Sequence, residues 1–116
     1  MDFLELIGPV EHGDGVTRLQ TEERHANPAG AVHGGLIATL CDTAVGAAVA
    51  AEAEEIAGAV TVSLTVDYLA PAKPGSLLEA RTEIEKLGGR LAFADCRVSA
   101  DGKEVVRARA VFSVLD

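Results

Sequence analysis

The stretch Gly34-Gly35-Leu36-Ile37-Ala38-Thr39-Leu40-Cys41-Asp42-Thr43-Ala44-Val45-Gly46-Ala47-Ala48-Val49-Ala50-Ala51 decides the fold. It is too long for a buried strand and apolar on nearly every side, which is the pattern of a central helix enclosed by other elements. A membrane span is the rival reading for a run of this length. Asp42 at its middle, three glycines and mostly small side chains make its transfer into lipid unfavourable.

Downstream the period changes from helical to two. Val60, Val62, Leu64 and Val66 alternate with Thr61, Ser63, Thr65 and Asp67, and after Pro71 and Pro74-Gly75 a second strand sets Leu78, Ala80, Thr82 and Ile84 against Glu79, Arg81, Glu83 and Glu85. Gly88-Gly89 predicts a hairpin turn. Residues 91–100 and 104–115 then form two strands around Asp101-Gly102, with Val106, Ala108, Ala110, Phe112 and Val114 on one face and Arg107 and Arg109 on the other. Short turns make the strands antiparallel, so residues 60–115 are expected to form a meander of about four.

Upstream, residues 2–7 suit a short amphipathic helical turn and residues 15–23 a first strand. Residues 25–30 read as loop, because Pro28 lacks a backbone donor and biases Asn27 away from helix. The expectation is α+β: one domain over residues 1–116, a single antiparallel sheet of about five strands wrapping one long central helix. One sheet layer covers only part of a helix apolar on several faces, and a second subunit is the natural cover for the rest.

Composition narrows the function. A formal charge of −8 repels polyanions, against nucleic acid or an anionic membrane as the partner. Cys41 and Cys96 sit in apolar stretches and read as buried thiols, and His12, His25 and His33 lack metal-ligand spacing, so no metal site is expected. The start, Met1-Asp2-Phe3-Leu4-Glu5-Leu6, has neither the basic region nor the long apolar core of an export signal, and a cytoplasmic location is expected.

Chemistry concentrates around the helix. Asp42 is the one charged residue between positions 34 and 51, and ionising it in apolar surroundings costs several kcal/mol unless something compensates. It is either a structural carboxylate or a catalytic base or nucleophile. At His33-Gly34-Gly35 the first helical turn leaves N–H groups unpaired, and glycine lets a ligand approach the backbone, as an oxyanion site requires. Glycines there also serve packing or capping, and a histidine in the place of His33 is more often structural than catalytic.

Residues 25–35, His-Ala-Asn-Pro-Ala-Gly-Ala-Val-His-Gly-Gly, followed by Leu40-Cys41-Asp42-Thr43-Ala44 and later by Val66-Asp67-Tyr68-Leu69-Ala70-Pro71-Ala72, resemble the signature of the hotdog-fold acyl-CoA thioesterases. The branch they look most like is the phenylacetate-pathway and 4-hydroxybenzoyl-CoA thioesterase type. The resemblance runs over nearly the whole chain and implies roles. The Gly34 N–H would donate to the thioester carbonyl, with Gly35 beside it in the substrate site. Asn27 would help hold that carbonyl or the water, His33 would flank the thioester, and Asp42 would be the catalytic carboxylate. Thr61 matches a position where a hydroxyl orients the attacking water in some relatives. One turn after the acid, where some relatives carry Ser or Thr, this chain has Gly46, so hydroxyl help falls to Thr43 or Thr61.

The expected activity is hydrolysis of a small aryl or short-to-medium acyl-CoA, with no cofactor beyond the CoA of the substrate. Lys86 and Arg90, flanking Gly88-Gly89, are candidates to hold the CoA phosphates, with Lys73 and Arg81 behind them; solvated surface charges are the alternative. A non-catalytic acyl-CoA-binding hotdog domain is the rival function, and a hotdog dehydratase a more distant one. Gly34 and Asp42 lie eight residues apart, about 12 Å along a helix, too far to serve one carbonyl. A two-fold homodimer with antiparallel helices side by side places Asp42 of one chain near Gly34 and Asn27 of the other, and a dimer of dimers is the larger assembly expected.

Overall fold

The structure, a computed structural model, describes residues 2–53 and 57–115. In chain order it contains α1 (Phe3–Ile7), β1 (Val10–Gly13), β2 (Val16–Gln20), a single 3-10 turn (Glu23–His25), α2 (Gly34–Glu52), β3 (Gly58–Tyr68), β4 (Leu77–Leu87), β5 (Leu91–Ala100) and β6 (Lys103–Leu115). All six strands join one antiparallel sheet in the order β1-β2-β4-β5-β6-β3. The sheet curls around α2, whose Leu36, Ile37, Leu40, Cys41, Ala44, Val45 and Val49 are buried against it. Each fully buried Leu or Val in this seam contributes about 1.5–3 kcal/mol relative to exposure. Cys41 of α2 and Cys96 of β5 are buried free thiols in contact, and Cys41 is held protonated by its hydrogen bond to Cys96 and by burial.

Three expectations change. The sheet has six strands rather than about five, because residues 10–13 form β1 and hairpin onto β2 through Asp14-Gly15, both at positive φ (54° and 72°). That is the backbone a tight two-residue hairpin demands, and Asp-Gly supplies it cheaply. The first strand accordingly spans 16–20 rather than 15–23.

The meander is also shorter than expected. β3 pairs with β6, not with β4, so only β4, β5 and β6 follow one another. The link 69–76 is a crossover along the end of the sheet. Leu69 and Ala70 donate to the Val105 carbonyl, and the Ala72 carbonyl accepts from Val32 just ahead of α2. Pro71 and Pro74 keep this segment out of the ladder, which leaves β3 as a free edge.

Third, the alternation of β3 breaks. Its register with β6 slips between Thr61 and Ser63, so Thr61 pairs with Phe112 while Leu64 pairs with Ala110. An extra residue at a bulge exchanges the faces on either side of it. Thr61 therefore shares the inner face with Leu64 and Val66, while Val60 and Val62, read from the sequence as inward, are 51% and 58% exposed.

Candidate active site

The start of α2 accounts for its N–H groups one by one. His33 caps the helix: its Nδ1 accepts from the Gly35 N–H at 2.9 Å, and its carbonyl accepts from Leu36 at 3.0 Å and Ile37 at 3.3 Å. Accepting at Nδ1 places the proton of neutral His33 on Nε2. The Gly34 N–H is left without an acceptor among the described residues, and it points out of the positive end of a 19-residue helix. Gly35, expected beside it as a substrate contact, has its own N–H taken by His33.

Asn27 sits in the loop that feeds this helix start. Its Oδ1 accepts from the N–H groups of Ala29 (2.9 Å) and Ala31 (3.0 Å), and its backbone closes the same turn through Ala31 and Gly30. The amide oxygen is therefore spent on the loop, and Nδ2 is the free end, a donor. His25, in contrast, is structural. Its Nδ1 accepts from Glu22 and its Nε2 donates to the Ile7 carbonyl, both at 2.9 Å, while the His25 carbonyl accepts from His33.

Tyr68 is the residue that the sequence reading passed over. It ends β3, and its hydroxyl donates to the Gly34 carbonyl at 2.5 Å; a Cβ placed on Gly34 would lie 3.3 Å from its ring. Burial pushes the Tyr68 phenol above its ordinary value. The sequence signals were its place in the resembling stretch 66–72, where the resemblance gives it no role, and its position at the end of a strand.

Asp42 lies two turns further along α2, half-buried in the single chain rather than desolvated. The Thr61 hydroxyl, turned inward by the bulge, donates to its Oδ1 at 2.5 Å. This fixes one carboxylate oxygen, and Asp42 lines an open groove of about 470 Å³ together with Ala38, Thr39, Thr43 and Leu64. Thr43, expected from the sequence as a substrate contact, lines the same groove as Asp42. Gly46 does not line this groove. A Cβ there would lie in contact with the Phe112 ring at 3.4 Å, so this position faces the sheet.

The basic candidates separate. Lys86 and Arg90 are exposed at the β4–β5 turn, and the Arg90 carbonyl accepts from Val114, whose strand partner is Ala59, so the turn adjoins the Gly58 end of β3. Lys73 follows Ala72 beside the helix start. Arg81 lies opposite Arg97 on the outer face of the sheet, with β4 between it and α2. One chain therefore holds two clusters, Asn27, His33, Gly34 and Tyr68 at the helix start and Asp42, Thr43 and Thr61 at mid-helix, joined by β3 and kept about 12 Å apart by the helix.

One long helix, α2, cradled by a six-stranded antiparallel sheet is the hotdog fold. The Thioesterase superfamily profile matches residues 29–107. Mouse acyl-coenzyme A thioesterase 13 is 35% identical over 96 residues, covering 81% of this chain and 70% of that protein. The crystal structure of the BH2602 protein from Bacillus halodurans with CoA superposes with a TM-score of 0.90 at 32% identity, over 99% of this chain and 77% of that one. A phenylacetic acid degradation-related protein from Ralstonia eutropha JMP134 gives a TM-score of 0.84 at 28% identity, over 96% and 88%. The chain belongs to the thioesterase superfamily.

Proposed function

We propose that this chain hydrolyses small aryl or short-to-medium acyl-CoA thioesters to the free acid and CoA, in a site shared between two copies. The observation that carries this reading is the Gly34 N–H, the one donor of the first helical turn without an acceptor among the described residues, with the loop that feeds the helix carrying an Asn27 amide whose nitrogen alone is free. Two such donors suit the oxygen of a thioester carbonyl, which gains negative charge as the carbon is attacked. Asp42, fixed through one oxygen by Thr61, either attacks the carbonyl carbon itself or takes a proton from water; both routes cleave the C–S bond and release CoA thiol. His33 Nε2–H flanks the carbonyl. The chemistry needs no metal or cofactor. The CoA bound by the Bacillus halodurans relative supports this substrate class, and we assign Lys86, Arg90 and Lys73 to its phosphates as exposed cations near the ends of β3 and α2.

The two-copy site follows from the separation of the clusters and from the free edge of β3. Antiparallel pairing of that edge with a second β3 lays two α2 helices side by side and sets Asp42 of one copy against Gly34 and Asn27 of its partner. The test begins with an acyl-CoA panel and detection of free CoA; binding without CoA release would identify a non-catalytic binding domain instead. Inactive Asp42→Ala and Asn27→Ala chains are then co-expressed. A shared site leaves one intact site in each mixed dimer and restores roughly a quarter of wild-type activity under random pairing. Verified mixed dimers without recovered activity defeat the shared site.

A further inference from the structure

Helix α1 is anchored in an unusual way. None of its residues is buried, although Phe3, Leu4, Leu6 and Ile7 make it mostly apolar. Ile7 packs partly against the core and Leu4 is half-buried, but most of what fixes the helix is polar. The Asp2 side chain accepts from the Glu5 N–H at its start, and at its end Arg24 donates to the carbonyls of Leu6 (2.8 Å) and Gly8 (3.0 Å), while His25 Nε2 donates to that of Ile7. A short apolar helix is ordinarily docked by burying its apolar face. Here backbone carbonyls are clamped by the turn that leads into Asn27, and Phe3 remains 59% exposed.

The side chains left over have a destination. Phe3 and Leu4 form one wall of the groove whose other wall is Ala38, Thr39, Asp42 and Thr43 of α2, with Leu64 of β3 contributing as well. It is an open groove of about 470 Å³, most of its lining surface is apolar, and its one charge is the candidate catalytic carboxylate. An apolar trough that opens onto that carboxylate suits the part of a thioester substrate attached to the carbonyl carbon.

We propose that α1 is the specificity wall of the acyl site: Phe3 and Leu4 hold the acyl group of the thioester against Ala38 and Leu64, and Arg24 positions that wall. This rests on the thioesterase reading above and deepens it. Each methylene buried in the trough is worth up to about fourfold in kcat/KM, so wild-type kcat/KM rises from acetyl-CoA through octanoyl-CoA until the trough is full.

The experiment measures the ratio of kcat/KM for octanoyl-CoA to that for acetyl-CoA. Phe3→Ala and Leu4→Ala should each lower the ratio about tenfold, since each removes contact that only the longer chain makes. Arg24→Ala should lower it comparably by releasing α1, and Ala38→Leu should lower it by filling the trough from the opposite wall. Glu5→Ala, on the same helix but outside this groove, should keep the ratio of the wild type. Hydrolysis with the ratio unchanged in Phe3→Ala, Leu4→Ala and Ala38→Leu overturns the acyl wall and leaves the thioesterase reading standing. A wild-type chain that hydrolyses no member of the panel overturns both.

Discussion

The start and the middle of α2 hold the two halves of the candidate site, and they are built differently. At mid-helix the functional group is a side chain, Asp42, and one hydroxyl from β3 fixes it. At the start it is a backbone N–H, and its availability is a matter of subtraction. His33 consumes the N–H groups of Gly35, Leu36 and Ile37, and Tyr68 holds the Gly34 carbonyl, so one donor is left pointing outward. The first half can be destroyed by changing one atom group. The second survives most substitutions of its neighbours, because a backbone donor cannot be mutated away and can only be moved or obstructed.

The largest effect is therefore expected at Asp42. Asp42→Asn keeps the size of the side chain and its contact with Thr61 while removing the base or nucleophile, and kcat should fall by roughly a hundredfold or more. A folded variant with wild-type turnover would sink the assignment. Next comes Gly34→Val. Its Cβ meets the Tyr68 ring at 3.3 Å and its methyl groups crowd the approach to the N–H, so the helix start or the ring must shift. A loss of about ten- to a hundredfold in kcat with the circular dichroism of the fold retained is the expected result, on the scale of a displaced oxyanion donor. Full activity in this variant would mean that the carbonyl binds elsewhere, and the contrast between the two halves would collapse.

The same contrast governs what the sequence made legible. Asp42 stood out as one charge in an apolar run, and the helix itself was readable from length and composition. The strands of β4, β5 and β6 followed from period-two patterning and their turns. The inward face of Thr61 was not readable from alternation, since Val60, Val62, Leu64 and Val66 form an unbroken apolar series; a single bulged residue overrides that series, and bulges leave no reliable trace in residue types. The resemblance to a family named Thr61, but only the register shows why it reaches Asp42. The pairing of β3 with β6 was hidden for a related reason: Pro71 and Pro74 announce a break without saying whether the chain turns back or crosses over. Gly46 and Gly35 differ in a way the residue type does not announce: Phe112 packs against the first, and the N–H of the second is engaged by His33.

Thr61→Ala tests whether the bulge matters to chemistry or only to pairing. It removes the donor that fixes Asp42 Oδ1 while leaving the carboxylate in place. The expected loss in kcat is about tenfold, the scale of one hydrogen bond to a charged group, and smaller than that of Asp42→Asn. KM should move less than kcat, because the hydroxyl orients the reacting carboxylate rather than holding the substrate. An unchanged rate would return Thr61 to an ordinary strand residue.

The smallest effect is expected at Tyr68, which acts on the helix start without touching substrate. Tyr68→Phe keeps the ring beside Gly34 and deletes the hydroxyl that donates to its carbonyl, a neutral hydrogen bond worth about 0.5–1.5 kcal/mol, so kcat/KM near neutral pH should fall no more than about tenfold. The sharper measurement is alkaline stability. The phenol must be protonated to donate, and burial raises its folded-state value above the ordinary one near 10. A raised value in the folded state means that the stabilisation is complete below the unfolded value and is lost as pH rises from there through the folded value, because the unfolded chain releases its proton first. Cys41, also raised by its bond to Cys96 and by burial, adds a loss in the same direction. The difference between wild type and Tyr68→Phe isolates the phenol: denaturation midpoints measured from pH 8 to pH 11 should converge at the alkaline end. Parallel curves across that window would show that the hydroxyl does not hold the helix start, and that Gly34 is positioned by His33 alone.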